Sequence, residues 1–171
     1  MSKTWIWGDL HLGHQNIIKY CNRPFASAED MDAALIQAWK DTVGKDDTII
    51  NLGDVCLGGQ YPKDKLHTLI HSLPGHKILI LGNHDRKKSV KFWEEVGFNE
   101  VYKYPIIYKE WYMLSHEPIF LNENMPYINI HGHTHDKVYG GTSYKNVSVE
   151  VTGYKPIDFE TILSKEPEGG N

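Results

Sequence analysis

Five short apolar runs recur along the chain, and each ends in glycine or serine followed directly by Asp, Asn or His. Runs of this length and composition are typical of buried strands. Residues just beyond strand ends are where α/β proteins build their functional sites. The pattern therefore predicts one polar cluster assembled from five strand ends. The runs are residues 5–8, 49–53, 78–82, 112–115 and 128–132, and the polar residues after them are Asp9, His11, Asp54, Asn83, His84, Asp85, His116, His133 and His135.

The first half of the chain alternates between strand and helix patterns. Ser27 suits a helix N-cap with Asp30 three residues later, and apolar residues at helical spacing continue from there towards Gly44. A strand–helix alternation of this kind implies parallel strands joined by right-handed crossovers. The predicted strands are residues 4–8, 48–52 and 77–81, and the predicted helices are a short one near 17–21, one from the Ser27 cap to about 44, one through 66–73, and a basic one over 87–96.

The second half of the chain changes character after Gly97. Residues 98–116 read as two strands with a turn near Lys109 and Glu110, and little helix is predicted between the later strands. Further strands are predicted at 127–131, 144–151 and 157–159. This pattern favours a second, more antiparallel sheet packed on the first. We expect a single domain over residues 1–163 and a polar, flexible tail over 164–171.

Composition narrows the function classes only slightly. The chain has 171 residues, 40% hydrophobic and 23% charged, which is ordinary for one soluble globular domain. A net charge of -4 gives no general reason to expect attraction to membranes or nucleic acid, although nucleic acid stays possible as a partner. The apolar run at residues 5–7 is too short for a signal peptide or a membrane helix, so we expect a cytoplasmic location without membrane contact. The oligomeric state stays open.

The residues that follow the strands make a mixed oxygen and nitrogen donor set without a thiolate. Such a set suits Mn²⁺, Fe or Zn²⁺ better than Ca²⁺, Mg²⁺ or Cu(I). Two residues apart in extended backbone, Asp9 and His11 would fall on the same side and could share one ion. Seven candidate ligands exceed one tetrahedral site but fit two ions that share a carboxylate, about 3.5–4 Å apart. We expect two divalent ions, Mn²⁺ first, with Fe, Zn²⁺ or Ni²⁺ as alternatives. The candidate ligands are Asp9, His11, Asp54, Asn83, His116, His133 and His135.

These blocks, in this order, resemble the five blocks of the calcineurin-like metallophosphoesterase superfamily. The resemblance implies a four-layer αββα sandwich, with two mixed sheets flanked by helices and the metals at strand ends. It implies two ligand sets, namely Asp9, His11, Asp54 and His135 for one ion and Asp54, Asn83, His116 and His133 for the other. It further implies that His84 approaches the leaving-group oxygen as general acid or transition-state stabiliser, and that Asp85 orients it. The blocks are Gly8-Asp9-Leu10-His11, Gly53-Asp54, Gly82-Asn83-His84-Asp85, His116 and Gly132-His133-Thr134-His135.

The activity implied by this resemblance is hydrolysis of phosphate esters through attack by a metal-bound hydroxide. A small domain without an obvious cap favours an open site and hence a phosphodiester or nucleotide-like substrate. Two alternatives remain: a phosphomonoesterase, and a non-catalytic metal-binding scaffold for a protein partner. Members that act as scaffolds typically lose the His of the Asn-His-Asp block or several ligands, and this chain keeps them all.

Two further residues are candidates for contact with the substrate. His14 follows the first block closely and could face the substrate, although a helix-capping role is the favoured interpretation. Arg23 could clamp a phosphate with two parallel hydrogen bonds, although an exposed loop arginine is the commoner case. The basic run of Arg86, Lys87, Lys88 and Lys91 could attract an oligonucleotide, but a solvated helix face is the favoured interpretation.

Overall fold

Two β-sheets form the centre of the protein in residues 1–57 and 61–164, which a computed structural model describes. In the first sheet the strand order is β4-β3-β2-β1-β9, with β1 to β4 parallel and β9 antiparallel to β1. The parallel first half predicted from the sequence is therefore confirmed. The strands are β1 (Thr4–Trp7), β2 (Thr48–Asn51), β3 (His76–Ile80), β4 (Glu100–Tyr102) and β9 (Ile157–Asp158).

The second sheet is mixed rather than mainly antiparallel. Its order is β5-β6-β7-β8, and only the β5–β6 pair is antiparallel, while β6–β7 and β7–β8 are parallel. The sequence predicted the antiparallel pair and its turn, but parallel pairing depends on long connections that local pattern does not reveal. The strands are β5 (Ile106–Tyr108), β6 (Tyr112–Ser115), β7 (Ile128–His131) and β8 (Tyr144–Asn146).

The helices connect these strands and cover the first sheet. Ser27 caps α2 as predicted, since its hydroxyl accepts a hydrogen bond from Asp30 N at 3.1 Å. The basic helix predicted over 87–96 is instead a short 3₁₀ turn at Asp85–Lys87 and a separate helix that begins after the Ser89 cap. The helices are α1 (Gln15–Tyr20), α2 (Ala28–Thr42), α3 (Lys63–Ser72), α4 (Val90–Val96), α5 (Val149–Thr152) and α6 (Phe159–Ser164).

The last predicted strands differ most from the structure. The segment 144–151 contains β8 and then α5 rather than one long strand, and Phe159 begins α6 rather than ending a strand. Ser164 closes α6, and the rest of the tail predicted over 164–171 lies outside the described residues. No helix in the described ranges combines the length and apolar character required to cross a bilayer.

Two apolar clusters hold the layers together. One lies between the first sheet and helices α2, α3 and α4, and includes Trp7, Trp39 and Trp93. The other fills the space between the two sheets, with Ile50 on one side and Ile130 on the other. These clusters fix both sheets so that β1, β2, β3, β6 and β7 present their carboxyl ends to one region. The predicted α/β fold of two mixed sheets flanked by helices is confirmed.

Candidate metal centre

The polar residues predicted after five strands converge at one edge of the two sheets. Asp9, His11, Asp54 and His116 are almost completely buried and form the base of the cluster. Asn83 and His133 are exposed and His135 is half-buried, so these three form its rim. The result is a site with a buried floor that carries two carboxyl groups and with a mouth open to solvent.

In the described residues, four groups have donor atoms within 4.8 Å of one another, and two of these groups consist of candidate ligands alone. The other two are His11, Asp54 and His84, and Cys21, His135 and Glu150. Of the two ligand groups, the first is Asp9, His11 and His135, and the second is Asp54, His116 and His133. Asn83 joins the second group, because its Oδ1 lies 2.9 Å from His116 Nε2.

Asp54 lies between the two groups. Its Oδ2 is 3.5 Å from His11 Nε2 of the first group and 3.4 Å from His116 Nε2 of the second. One carboxylate oxygen thus faces an imidazole of each group at nearly equal distance.

Five of the seven candidate ligands have left-handed backbone, with φ between 53° and 65°. Residues other than glycine rarely adopt this conformation, and it concentrates at functional sites. Hydrogen bonds hold the turns: Asp9 N donates to Gly53 O at 3.0 Å, and His11 N donates to Asp54 O at 2.9 Å. The extended backbone expected at Asp9 and His11 is therefore wrong, although both side chains still reach one group. The five residues are Asp9, His11, Asp54, His133 and His135.

Glycines allow these turns to approach each other. A Cβ at Gly53 would lie 2.6 Å from Gly82 Cα and 2.8 Å from His116 Nδ1. A Cβ at Gly82 would collide with the Asp54 carboxylate, and one at Gly132 with that of Asp9. Gly53, Gly82 and Gly132, which end three of the apolar runs, are thus required by space at the site.

Several ring nitrogens are set up to bind cations. His116 Nδ1 lies 2.7 Å from Leu52 O and His135 Nδ1 lies 3.0 Å from Glu150 Oε1, so each Nδ1 carries a proton and Nε2 is the nitrogen that would bind a metal. His11 Nε2 is buried without a hydrogen-bond partner. Burial lowers the pKa of His11 to about 2, which keeps its imidazole neutral, as metal binding requires. These features fit the binding of divalent metal ions.

The model of one protein family matches this chain over residues 2–166, and that family is described as calcineurin-like phosphoesterase. The chain belongs to this family. Membership confirms the resemblance stated above and implies phosphoester hydrolysis as the general chemistry of the site.

Similar proteins extend over different shares of the chain. The uncharacterized protein MJ1445 of Methanocaldococcus jannaschii is 36% identical over 99% of this chain and 94% of its own length. The Gene 66 protein of Mycobacterium phage L5 is 46% identical over 50% of this chain and 41% of its own. Among solved structures, a protein of unknown function from Aquifex aeolicus, AQ665, has a TM-score of 0.74 and 27% identity, covering 96% of this chain and 99% of that one.

His84 lies at the mouth of this site, close to Asp54. Its Nε2 is 3.9 Å from Asp54 Oδ2, and its ring centroid is 5.3 Å from that of His11. Its Nδ1 has no hydrogen-bond partner. The ring is thus close to both groups while remaining partly accessible.

Asp85 does not orient His84, contrary to the expectation from the sequence. Its buried carboxylate accepts hydrogen bonds from the backbone N–H groups of Asp54 at 2.6 Å, Gly82 at 2.9 Å and Val55 at 3.1 Å. Burial raises the pKa of Asp85 to about 7, with the Asp54 carboxylate acting in the same direction. Asp85 therefore ties the β2 and β3 loops together and touches neither the histidine nor the mouth of the site.

His14 lies at the rim, where a substrate contact was predicted. Its Nδ1 is 3.2 Å from His11 Nδ1, and its ring lies 6.4 Å from that of His84. Burial lowers the pKa of His14 as well. A half-buried, neutral ring beside His11 can accept or donate one hydrogen bond towards the mouth.

Arg23 is buried and does not face the substrate, so its predicted role as a phosphate clamp is wrong. Nε donates to Glu150 at 2.9 Å, Nη1 to Leu10 O at 2.9 Å, and Nη2 to Asp9 O at 2.7 Å. Nη1 also points at Met31 Sδ at 3.3 Å, and Nη2 lies 2.7 Å from Glu150. All its donors are used to hold the first block in place.

Glu150 is the functional residue that sequence reasoning missed. Its carboxylate joins Arg23 to His135, and so connects the first block to the last. It lies on α5, in a segment predicted as strand, and it follows no motif. The only signal for Glu150 is its ion pair with the buried Arg23, and that pair is visible only in the fold.

The basic run after His84 is largely engaged elsewhere. Arg86 forms two hydrogen bonds with Glu117, at 2.8 and 2.7 Å. Lys88 lies over the Phe92 ring, 5.4 Å from its centroid. The favoured interpretation of a surface run, rather than a nucleic-acid contact, agrees with this placement.

Proposed function

We propose that this protein is a dinuclear metal-dependent phosphoesterase whose substrate is a phosphodiester or a nucleotide-like ester. The position of Asp54 Oδ2, at 3.5 and 3.4 Å from one imidazole of each group, carries this proposal. Asp54 so placed would be shared by two divalent ions, which would supply charge stabilisation for displacement at phosphorus.

The two groups divide the ligands as the family resemblance implies. When bound, two divalent ions supply Lewis-acid activation of water and of the phosphoryl oxygens near neutral pH. One ion would take Asp9, His11, Asp54 and His135, and the other Asp54, Asn83, His116 and His133. The oxygen and imidazole donors, without thiolate, favour Mn²⁺, with Fe, Zn²⁺ or Ni²⁺ as alternatives.

The residues of the chain account for the remaining steps. The buried carboxylates and the neutral His11 would hold the ions, and these in turn would bind the phosphoryl group. His84 Nε2, at the open mouth, donates a proton to the departing alkoxide, a role that typically contributes 10²–10⁴-fold to the rate. Thus the buried residues would act through the ions they hold, and His84 at the mouth assists the leaving group.

The open rim supports a diester over a monoester. Asn83 and His133 are exposed, so a second ester arm meets little obstruction. Arg23 is fully engaged and Arg86 is paired with Glu117, so neither is available to bind the additional charge of a monoester. We also propose that the binding partner is a small phosphate ester and that the protein is located in the cytoplasm.

One experiment tests the metal count and the substrate class together. Metal content of the Mn²⁺-loaded protein is measured by elemental analysis, and kcat/KM is measured for bis-p-nitrophenyl phosphate and p-nitrophenyl phosphate. We expect two ions per chain, higher kcat/KM for the diester, and loss of both ions in Asp54→Asn, with Asp46→Asn as an exposed control.

The possible results separate the alternatives. Preference for the monoester at every pH would make the protein a phosphomonoesterase. Two bound ions without turnover of either ester would support the scaffold. One ion per chain, or full occupancy in Asp54→Asn, would contradict the dinuclear site.

A further inference from the structure

A cleft opens beside the candidate metal centre and shares its rim. It has a volume of about 530 Å³ and includes His133 and His135, one histidine from each ligand group. This volume lies within the range of small-molecule sites. An ester whose phosphorus lies at the centre would therefore extend one arm into this space.

One wall of the cleft is a face of α1. Ile17, Tyr20 and Cys21 line it, at spacings of three and four residues that place them on one side of the helix. Tyr20 is 73% exposed although it lies next to the site. Its ring is 6.4 Å from that of His14, which in turn is 6.4 Å from His84. A row of rings thus leads from the mouth of the centre to Tyr20.

The opposite wall is the loop that follows the last histidine block, residues 134–139. Tyr139 is held there by edge contacts with Tyr144 at 5.1 Å and His131 at 6.0 Å. Val138 beside it is 94% exposed. Tyrosines from two separate elements therefore line the same cleft.

The charges in this cleft restrict the arm that it can hold. Beyond the two histidines its ionisable lining comprises Asp136, Lys137 and the tyrosine and cysteine side chains. One carboxylate and one ammonium give no net charge, so a polyphosphate arm lacks the cations it requires. Tyrosine rings instead favour a flat aromatic group such as a nucleobase, since every base has a face that can stack on them.

We propose that the cleft between α1 and residues 134–139 binds the nucleobase of a nucleotide ester, with Tyr20 and Tyr139 as specificity-determining residues. This inference rests on the proposed function, because it places the phosphate of the same substrate at the metal centre. With this assignment, the nucleobase is the part of the substrate that distinguishes it from other phosphate esters.

Calorimetric titration of the Mn²⁺-loaded protein with AMP and with ribose 5-phosphate tests this inference. The two ligands share the phosphate and the ribose and differ in the base. We expect AMP to bind at least about 10-fold more tightly, as one stacked base allows. Tyr20→Ala and Tyr139→Ala should each reduce that ratio by about 10-fold, while Tyr20→Phe, which keeps the ring, should preserve it.

The control is Tyr104→Ala, since Tyr104 is 69% exposed and does not line the cleft. It should leave the ratio unchanged. Equal affinities for the two ligands in the unaltered protein, or a ratio that survives both alanine substitutions, would overturn the inference. Because this is a binding measurement, a preference for AMP without turnover of any ester would contradict the proposed function and leave the cleft assignment standing.

Discussion

At the residue scale, His135 and His84 have different surroundings. His135 Nδ1 is fixed by Glu150 at 3.0 Å, which leaves Nε2 for a metal. His84 has no partner at Nδ1, and its Nε2 lies 3.9 Å from Asp54 Oδ2. A fixed ring suits a ligand, and a ring without fixed partners at the open mouth suits proton transfer.

His84→Ala and His135→Ala should therefore have different effects. We expect His84→Ala to keep both ions and to lower kcat by roughly 10²–10⁴-fold. His135→Ala should lower the metal content itself. Elemental analysis and steady-state kinetics check both variants. The rate lost in His84→Ala should also increase with the pKa of the leaving group, because a poor leaving group requires more protonation. Loss of metal in His84→Ala would make His84 a ligand.

At the element scale, a buried ion pair joins α5 to the segment after α1. Arg23 and the Glu150 side chain are both buried, and their closest atoms lie 2.7 Å apart. Arg86 and Glu117 form a pair of the same length at the surface, with side chains 38% and 36% exposed. The two pairs share their chemistry and differ in burial.

Glu150→Ala should destabilise the protein far more than Glu117→Ala. Removing one partner of a buried pair leaves a buried charge and typically costs about 3–5 kcal/mol, whereas a surface pair contributes about 0–1 kcal/mol. The free energy of unfolding in urea, measured with EDTA present so that metal binding does not contribute, gives both values. Equal losses in the two variants would show that the buried pair does not hold α5 in place.

At the scale of the whole molecule, metal binding and folding should be linked. The ligands come from five strands of both sheets, so the complete site exists only in the folded state. A ligand that binds only the folded state stabilises it by mass action.

Removing metal with EDTA should therefore lower Tm. At a free Mn²⁺ concentration 100 times Kd, one site contributes about 2.7 kcal/mol, which corresponds to roughly 5–10 °C for a chain of this size. Differential scanning calorimetry with EDTA, and after Mn²⁺ is restored, measures the shift, with Mg²⁺ as the comparison ion. An unchanged Tm would contradict metal binding by the folded protein.

Local patterns in the sequence determined the strands that lead into the site and most of the polar cluster. The apolar run before Asp54 predicts a buried strand, and the residues after such a strand must lie at the edge of the sheet. Asp9, His11, Asp54 and His116 were placed correctly for this reason. The Ser27 cap of α2 could also be predicted from the sequence, because a helix cap depends only on residues of its own helix.

Only the tertiary structure decided how the site is supported. Arg23 and Glu150 are 127 residues apart, and neither lies in a motif that predicts their contact. Asp85 follows His84 directly, yet its carboxylate turns inward to three backbone N–H groups, because the β2 and β3 loops meet there. A sequence pattern specifies which residues occupy a strand end. The partner of a buried side chain depends on which distant segments pack together, and that is determined by the fold.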